Sequence, residues 1–419
     1  MLGKTKWVSK LSNVLKAPGF SKKPEDKHRF MVEIAKRRND NVSSIIEANQ
    51  GKVYYEIGLI PLLVTELPFA ALEELAGLRH VKKIWHDARV HTVLNIAVPT
   101  VGGNRVQEWG FTGKNITVAI LDTGIYPHHD LTAPDNRIVA WADLVNQKKS
   151  PYDDNGHGTH LAGIIAGNGN SSNGKYKGMA PEARLVGVKV LNQDGGGLIS
   201  TVISGIEWCL GKLDTLQIRI INLSMGSKAQ ESYRADPLCR AVTVAWQRGI
   251  VVCCAAGNEG PESGTINSPG INLRTITVGN LNDRLGLSAT GGQLHQSSSR
   301  GPTLDNLVKP DLLAPGTKIT SLLPGGGYHS LTGTSMSTAM VSGATAQIVQ
   351  QRPSIKPDQI KALFKKNAKD LGLEPNLQGA GVLNMDHVFD YSIKGWNILR
   401  KLNIKRILHS HSAEGQFFR

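Results

Sequence analysis

The sequence predicts an α/β protein, a doubly wound and mostly parallel sheet with helices on both faces, preceded by a small α+β unit in split βαβ order. Three observations carry this. Short apolar runs at residues 116–121, 184–190, 218–223, 250–256 and 275–278 read as strands buried on both faces. Helix-length stretches at 160–167, 199–209 and 238–248 lie between them. Ahead of them, residues 28–87 alternate strand and helix patterns at a shorter pitch. The 45 glycines and 5% aromatic residues fit a loop-rich α/β chain better than a coiled coil or a disordered one.

Residues 1–27 are basic and contain Pro18, Gly19 and Pro24. A short amphipathic helix over 7–15 could touch a membrane surface, but a mobile leader is expected. In the small unit, 30–34 reads as a strand and 42–49 as a helix. Residues 52–60 and 62–67 read as strands split at Pro61, 69–78 as a helix with Pro68 suited to its first turn, and 81–85 as the closing strand. Residues 91–112 form a less regular connector. An Ala- and Gly-rich helix is expected over 338–350.

The length of 419 residues allows one large domain and a smaller unit. The net charge of +14 could indicate nucleic acid, membrane or acidic partners. Much of the excess lies at the two ends, and no aromatic-interleaved RNA-binding motif accompanies it, so solvated tails and no nucleic-acid partner are expected. The cysteines Cys209, Cys239, Cys253 and Cys254 form no C-x-x-C pair and no disulfide framework. Residues 1–20 lack an apolar core for a secretory signal, and no apolar run reaches membrane-spanning length. The expectation is a cytoplasmic protein, or one exported by a non-standard route.

Four short stretches carry candidate chemistry. Asp122 follows the run 116–121, where a carboxylate is held rigidly; it could equally open a turn. His157 sits between Gly156 and Gly158, with His160 three residues on. That spacing could ligate zinc, but Gly158 stands where the H-E-x-x-H motif has glutamate. Asn258 closes the run 250–256 and could donate to an oxyanion or form a turn. Ser335 enters a helix and could be a nucleophile or a plain cap. Together they supply a carboxylate, an imidazole, an amide and a hydroxyl at loop ends of one sheet. Amide hydrolysis uses that set. The imidazole takes the hydroxyl proton and returns it to the leaving amine, the carboxylate orients the imidazole, and the amide with a backbone N–H holds the oxyanion.

The segments 118–124, 155–160 and 333–336 resemble those of a subtilisin-family serine protease (subtilase), whose Asp, His, Ser order is the known subtilisin order. Residues 298–302 and 309–316 are further family-like stretches, and the likeness runs from about residue 95 to 384. It implies a subtilisin-like fold and a serine endopeptidase acting on polypeptides, with Asp122, His157 and Ser335 as the triad. It implies an oxyanion hole at Asn258 and the Ser335 N–H, and a substrate-pairing strand at Ser224, Met225 and Gly226. An apolar, small-walled pocket is implied near Ala255, Ala256 and Gly257. Residues 28–94 resemble the propeptide that chaperones folding and inhibits the enzyme until self-cleavage near 91–95. The implied arrangement is a leader (1–27), propeptide (28–94), catalytic domain (95–385) and basic tail (386–419), made as a self-processing zymogen and acting as a monomer. Residues 151–155 and Cys209 resemble the bacterial intracellular alkaline branch. No cofactor is implied for the chemistry. A structural calcium is possible, since residues 129–131 resemble a segment whose aspartate, here Asp130, helps bind one; the matching loop, 168–177, has no acidic residue. Ala339 stands where the family usually has proline, expected here in the first turn of its helix. The rival readings are a catalytically silent member used for binding and a basic nucleic-acid-associated protein.

Overall fold

Phe30, Val32 and Ile34 alternate along β1 (Lys27–Ile34) and are all fully buried, so one face of that strand makes a core. The structure, a computed structural model, describes residues 7–11, 15, 23–35, 40–57, 62–86, 94–283 and 293–389. The chain divides into two units, residues 1–91 and 92–419. In the first, β1 is followed by α1 (Asp40–Ala48), β2 (Lys52–Ile57), β3 (Leu62–Pro68), α2 (Leu72–Gly77) and β4 (Val81–His86). The sheet order is β2-β3-β1-β4 and every pair is antiparallel. The predicted order of elements is therefore observed, with β2 ending at Ile57; residues 58–61 lie outside the described residues.

The leader differs from expectation. Leu11 and Leu15 are buried in the core of this unit with Phe30, Leu72 and Ile84. Leu11 bridges Ile84, and Lys10 Nζ donates to the Leu78 carbonyl at 2.8 Å. Apolar burial at these two leucines ties the described leader residues into the unit.

In the second unit, β5 (Thr117–Asp122), β6 (Ile138–Asp143), β7 (Arg184–Lys189), β8 (Ile218–Leu223), β9 (Val251–Ala255), β10 (Ile276–Asn282) and β11 (Gln293–Leu294) lie in the order β11-β10-β9-β8-β5-β7-β6. β12 (Leu312–Pro315) also pairs with β10. All these pairs are parallel except β10–β11. Every residue of β5 and of β9 is buried, as the continuous apolar runs require. The longer helices are α3 (His157–Ala166), α4 (Ile199–Gly211), α5 (Pro237–Gln247), α6 (Thr334–Gln351) and α7 (Pro357–Asn367). A hairpin of β13 (Ile319–Leu322) and β14 (Tyr328–Leu331) leads into α6.

β6 and β11 to β14 escape the sequence reading. β6 is only partly buried along its length, β11 has two residues and the other three have four each, too short for a periodic signal. The connector 91–112 also holds two short helices, Leu94–Thr100 and Gly103–Glu108. At the other end, Val388 and Phe389 are buried and Phe389 packs on Phe111 with ring centroids 5.2 Å apart. The body therefore extends past 385; residues 390–419 lie outside the described residues, as do residues 91–93 of the expected cleavage segment. No helix of the described residues is long and apolar enough to cross a membrane.

Residues 334–349 of α6 are all buried. Gly343 and its alanine neighbours make that possible: a β-carbon on Gly343 would lie 2.5 Å from Met179 Cβ. The helix begins four residues before the expected 338. Gly333 is its extended N-cap, and the Thr334 N–H finds a partner outside the helix at Asn258 Oδ1, 3.1 Å away. Two corrections follow. Ser335 is the second helical residue and not the cap. Ala339 lies in the second turn and not the first.

Candidate active site

Asp122 ends β5 and is fully buried. Its Oδ1 accepts the Thr123 N–H at 2.8 Å and lies 2.7 Å from His157 Nδ1, a separation at which the ring N–H donates to the carboxylate. Asp122 Oδ2 is buried without a partner among the described residues.

His157 is the first residue of α3. The chain reaches it through Gly156 at φ 104°, and Gly158 packs so tightly that a β-carbon there would lie 2.1 Å from the Gly124 carbonyl oxygen. Asp153 holds the helix start. Its Oδ1 accepts the N–H groups of Asn155 (3.1 Å) and Gly156 (2.8 Å), and its Oδ2 accepts the Thr159 N–H (2.9 Å) and hydroxyl (2.6 Å). Burial would push the Asp153 carboxyl up, but these donors, Thr159 foremost, hold it below the ordinary value. For His157, burial favours the neutral ring, yet the charge and hydrogen bond of Asp122 and the charge of Asp153 leave its pKa raised.

Beneath this corner Lys189 is fully buried, in register with Asp122 across β5 and β7. Its ammonium donates to the Thr123 carbonyl (2.6 Å), Asp154 Oδ1 (2.6 Å) and the Leu191 carbonyl (2.9 Å). All three donors are used, so the buried charge is paired and hydrogen-bonded. The pair joins the turn after Asp122 to the loop that caps the His157 helix.

Ser335 is 8% exposed, and its hydroxyl donates to the Ser224 carbonyl at 3.0 Å. The Ser224 hydroxyl donates to the Ser335 carbonyl at 3.1 Å and accepts from Asn222 Nδ2 at 2.9 Å. Asn222 Oδ1 in turn accepts the Ser342 hydroxyl at 2.9 Å. No hydrogen bond joins Ser335 to His157 among those described.

Asn258 is exposed. Its Oδ1 is taken by the Thr334 N–H, which turns the amide nitrogen of the side chain outward. Glu259 braces the segment: Oε2 accepts the Asn258 N–H and the Ser299 hydroxyl, each at 3.1 Å, and Oε1 accepts from Asn267 Nδ2 at 3.0 Å.

Of the expected substrate residues, Met225 is half-buried and Gly226 exposed. The Ser224 carbonyl is the acceptor already described. Ala255 and Gly257 are buried beside Asn258. Ala256 is a correction: its methyl is fully buried in a cluster with Cys239, Ile266 and Ile271. Its N–H and carbonyl are bonded to Val278 and Asn267, so it offers a substrate nothing.

The metal readings also meet the geometry. His160 Nε2 lies 3.0 Å from the Ile319 carbonyl, while His157 Nδ1 lies on Asp122, so the two rings do not converge on a zinc. Burial, with His329 and His157 nearby, lowers the His160 pKa to about 3 and keeps it neutral. Asp130 is fully buried, but its Oδ1 accepts the Ser171 N–H and its Oδ2 the Tyr328 hydroxyl, each at 2.7 Å. The Arg137 guanidinium donates to the Asp130 and Ala166 carbonyls. A carboxylate with both oxygens on protein donors, beside a cation and without a second carboxylate, does not fit calcium. No group of three potential metal-ligating side chains occurs among the described residues.

Asp153, Lys189, Glu259 and Thr334 carry no role in the sequence reading. Asp153 left a signal, an acidic residue ahead of a helix start with Thr159 one turn in; the others depend on partners distant in sequence.

Residues 113–383 match the Subtilase family, Peptidase_S8. The chain is 43% identical over 342 residues to Serine protease AprX of Bacillus subtilis, covering 76% of this chain and 77% of that protein. It is 35% identical over 358 residues to an alkaline protease of Alkalihalobacillus alcalophilus, covering 83% and 85%. It is 38% identical over 280 residues to Subtilisin BL of Lederbergia lenta, covering 66% and 91%. The chain belongs to the subtilase family and is a serine endopeptidase.

Proposed function

We propose that the protein cleaves polypeptides through an acyl-enzyme in which Ser335 is the nucleophile, His157 the general base and then acid, and Asp122 the residue that orients His157. The observation that carries this is the 2.7 Å contact of His157 Nδ1 with Asp122, which leaves Nε2 as the ring's free proton acceptor. An extended substrate adds as a strand beside Ser224, Met225 and Gly226. Its N–H competes for the Ser224 carbonyl and releases the Ser335 hydroxyl toward His157. Ser335 Oγ then attacks the scissile carbonyl as its proton passes to Nε2. The Ser335 N–H and Asn258 Nδ2 receive the oxyanion. Collapse expels the amine, which takes the proton from His157, and water repeats the sequence on the acyl-enzyme. The pocket beside Ala255 and Gly257 suits a small or apolar side chain.

Residues 28–94 act in this proposal as propeptide, cut by the enzyme itself. Its support is the four-stranded split βαβ unit that precedes the catalytic unit and the family to which the chain belongs. Ser335→Ala tests both parts. Peptide hydrolysis should fall by about 10⁶ in kcat, the figure known for subtilisin itself. Labelling by a fluorophosphonate should vanish, and mass spectrometry should show an uncut chain. Unchanged hydrolysis would sink the assignment.

A further inference from the structure

The carboxyl ends of β5, β8 and β9 carry the candidate site; their amino ends carry a different feature. A cleft of about 840 Å³ opens there, bounded by Lys114, Arg219, Arg248 and Lys356, with the half-buried Leu213 and Ile355 contributing apolar surface. Asp214 is the one carboxylate in its lining. Arg219 is held in place, donating to the Pro353 carbonyl at 2.6 Å and the Ile355 carbonyl at 3.3 Å. Lys114 reaches Glu182 only at 3.7 Å, with both side chains exposed. Arg248 and Lys356 are exposed and have no acidic partner among the described residues. Four cations against two acids, Asp214 in the lining and Glu182 beside Lys114, over an apolar floor, is an arrangement that attracts an anionic chain with apolar side chains.

We propose that this cleft is a second binding site that takes an acidic stretch of a polypeptide. No aromatic side chain lines it. Nucleic-acid grooves on proteins use such rings to stack bases, so a peptide carboxylate series fits better than a nucleotide strand. The basic tails of this chain are excluded as occupants by their charge. Helix α6 spans the distance to the candidate site: Ser335 lies in its first turn and Gln350 lines the cleft. Fifteen helical steps cover about 22 Å, and six-residue strands such as β5 and β8 span about 20 Å. A chain passing over the surface between the two needs more than about ten extended residues. The cleft thus selects long acidic substrates and leaves short peptides untouched. That last step rests on the function proposed above; the binding itself does not.

The test uses the full chain carrying Ser335→Ala, so that a probe is not consumed, and fluorescein-labelled dodecaglutamate followed by anisotropy at low salt. Adding Lys114→Gln, Arg248→Gln and Lys356→Gln should weaken binding about five- to tenfold, as the loss of three exposed charge contacts predicts. The residues are on the surface, and a thermal melt verifies that the fold is kept. Lys149→Gln, Arg240→Gln and Lys366→Gln remove the same charge elsewhere and should leave affinity in place. Equal weakening by both triples would overturn the proposal, because it would mean attraction to overall charge. Saturation by inorganic polyphosphate that dodecaglutamate cannot displace would also overturn it, in favour of a phosphate site. In the active enzyme, an unfolded polypeptide with a glutamate run about fifteen residues from its cleavage point should show a lower KM than its run-free counterpart. The cleft triple should abolish that difference and leave a short chromogenic peptide unaffected. Failure of the nucleophile assignment would appear only in the second experiment, failure of the cleft in both.

Discussion

Asp122 and Asp130 are both fully buried, yet they are finished differently. Asp130 has a donor on each oxygen, a backbone N–H from Ser171 and a hydroxyl from Tyr328. Asp122 has two contacts on Oδ1 and none described on Oδ2. A carboxylate with a neutral donor on each oxygen is a fastener. One whose main partner is an imidazole that can gain charge is able to respond to a proton. Burial alone does not separate the two; the partner does.

The largest effect that would break this contrast is at Asp122. Asp122→Asn should keep the thermal midpoint near that of the parent while kcat falls by about 10⁴, through loss of the imidazole's tautomer and orientation. A drop of less than tenfold would place Asp122 with Asp130 among the fasteners.

Next comes Tyr328→Phe. It leaves a buried carboxylate oxygen without its donor, at a cost of about 1–3 kcal/mol read from a denaturant midpoint, with kcat unchanged. Burial foremost, and the Asp130 acceptor, push the Tyr328 hydroxyl up to about 12, so it stays a donor across the working range. Chelator should not alter the inactivation rate of the parent protein. Faster inactivation in EDTA that Asp130→Asn abolishes would show that Asp130 does hold calcium.

The third test sharpens the response at Asp122. Because the pKa of His157 is raised, its imidazole becomes a base only above the ordinary value, and the acid limb of kcat/KM should titrate above 6.5. Asp153→Asn removes one of the charges that raise it and should move the limb to lower pH. The paired imidazolium contributes its full stability below the unfolded pKa, and that contribution is lost as pH rises through the folded one. An unmoved limb would remove Asp153 from the electrostatics of His157.

The last test is Ala339→Pro. In a helix interior proline costs about 3 kcal/mol, partly through the lost N–H bond to the residue four back. That residue is Ser335, whose carbonyl also accepts the Ser224 hydroxyl. The surviving hydrogen bond to that carbonyl offsets about 1 kcal/mol, while the ring still clashes with the carbonyl in a fully buried turn, so the expected loss is about 2 kcal/mol by chemical denaturation. A full loss would show that the Ser224 bond does not substitute.

Asp122, His157, Asn258 and Ser335 are legible in the sequence because each closes a strand or opens a helix within a distinctive local string, and the five buried strands are legible because their apolar runs are continuous. Tyr328 and Lys189 are not. Tyr328 meets Asp130 from 198 residues away, and Lys189 reaches Asp154 from 35. Nothing local to either distinguishes a buried, fully bonded side chain from a solvated one. The start of α6 lies four residues ahead of the expected one for a related reason. The four residues from Thr334 to Ser337 carry no helical periodicity of their own, and the partner that satisfies the first N–H sits on Asn258. Leu11 and Leu15 were hidden among lysines whose charge suggested solvent.

The bond from the Ser335 hydroxyl to the Ser224 carbonyl has a kinetic consequence. At rest the proton of the proposed nucleophile is parked on a backbone acceptor that an incoming peptide N–H would claim. A small acylating reagent without such an N–H meets the serine still parked. Rates of covalent capture should thus rank reagents by whether they carry a peptide backbone, ahead of their intrinsic electrophilicity. The expected outcome is slow capture of stray electrophiles at the proposed nucleophile, since the main chain keeps the hydroxyl occupied until a substrate arrives.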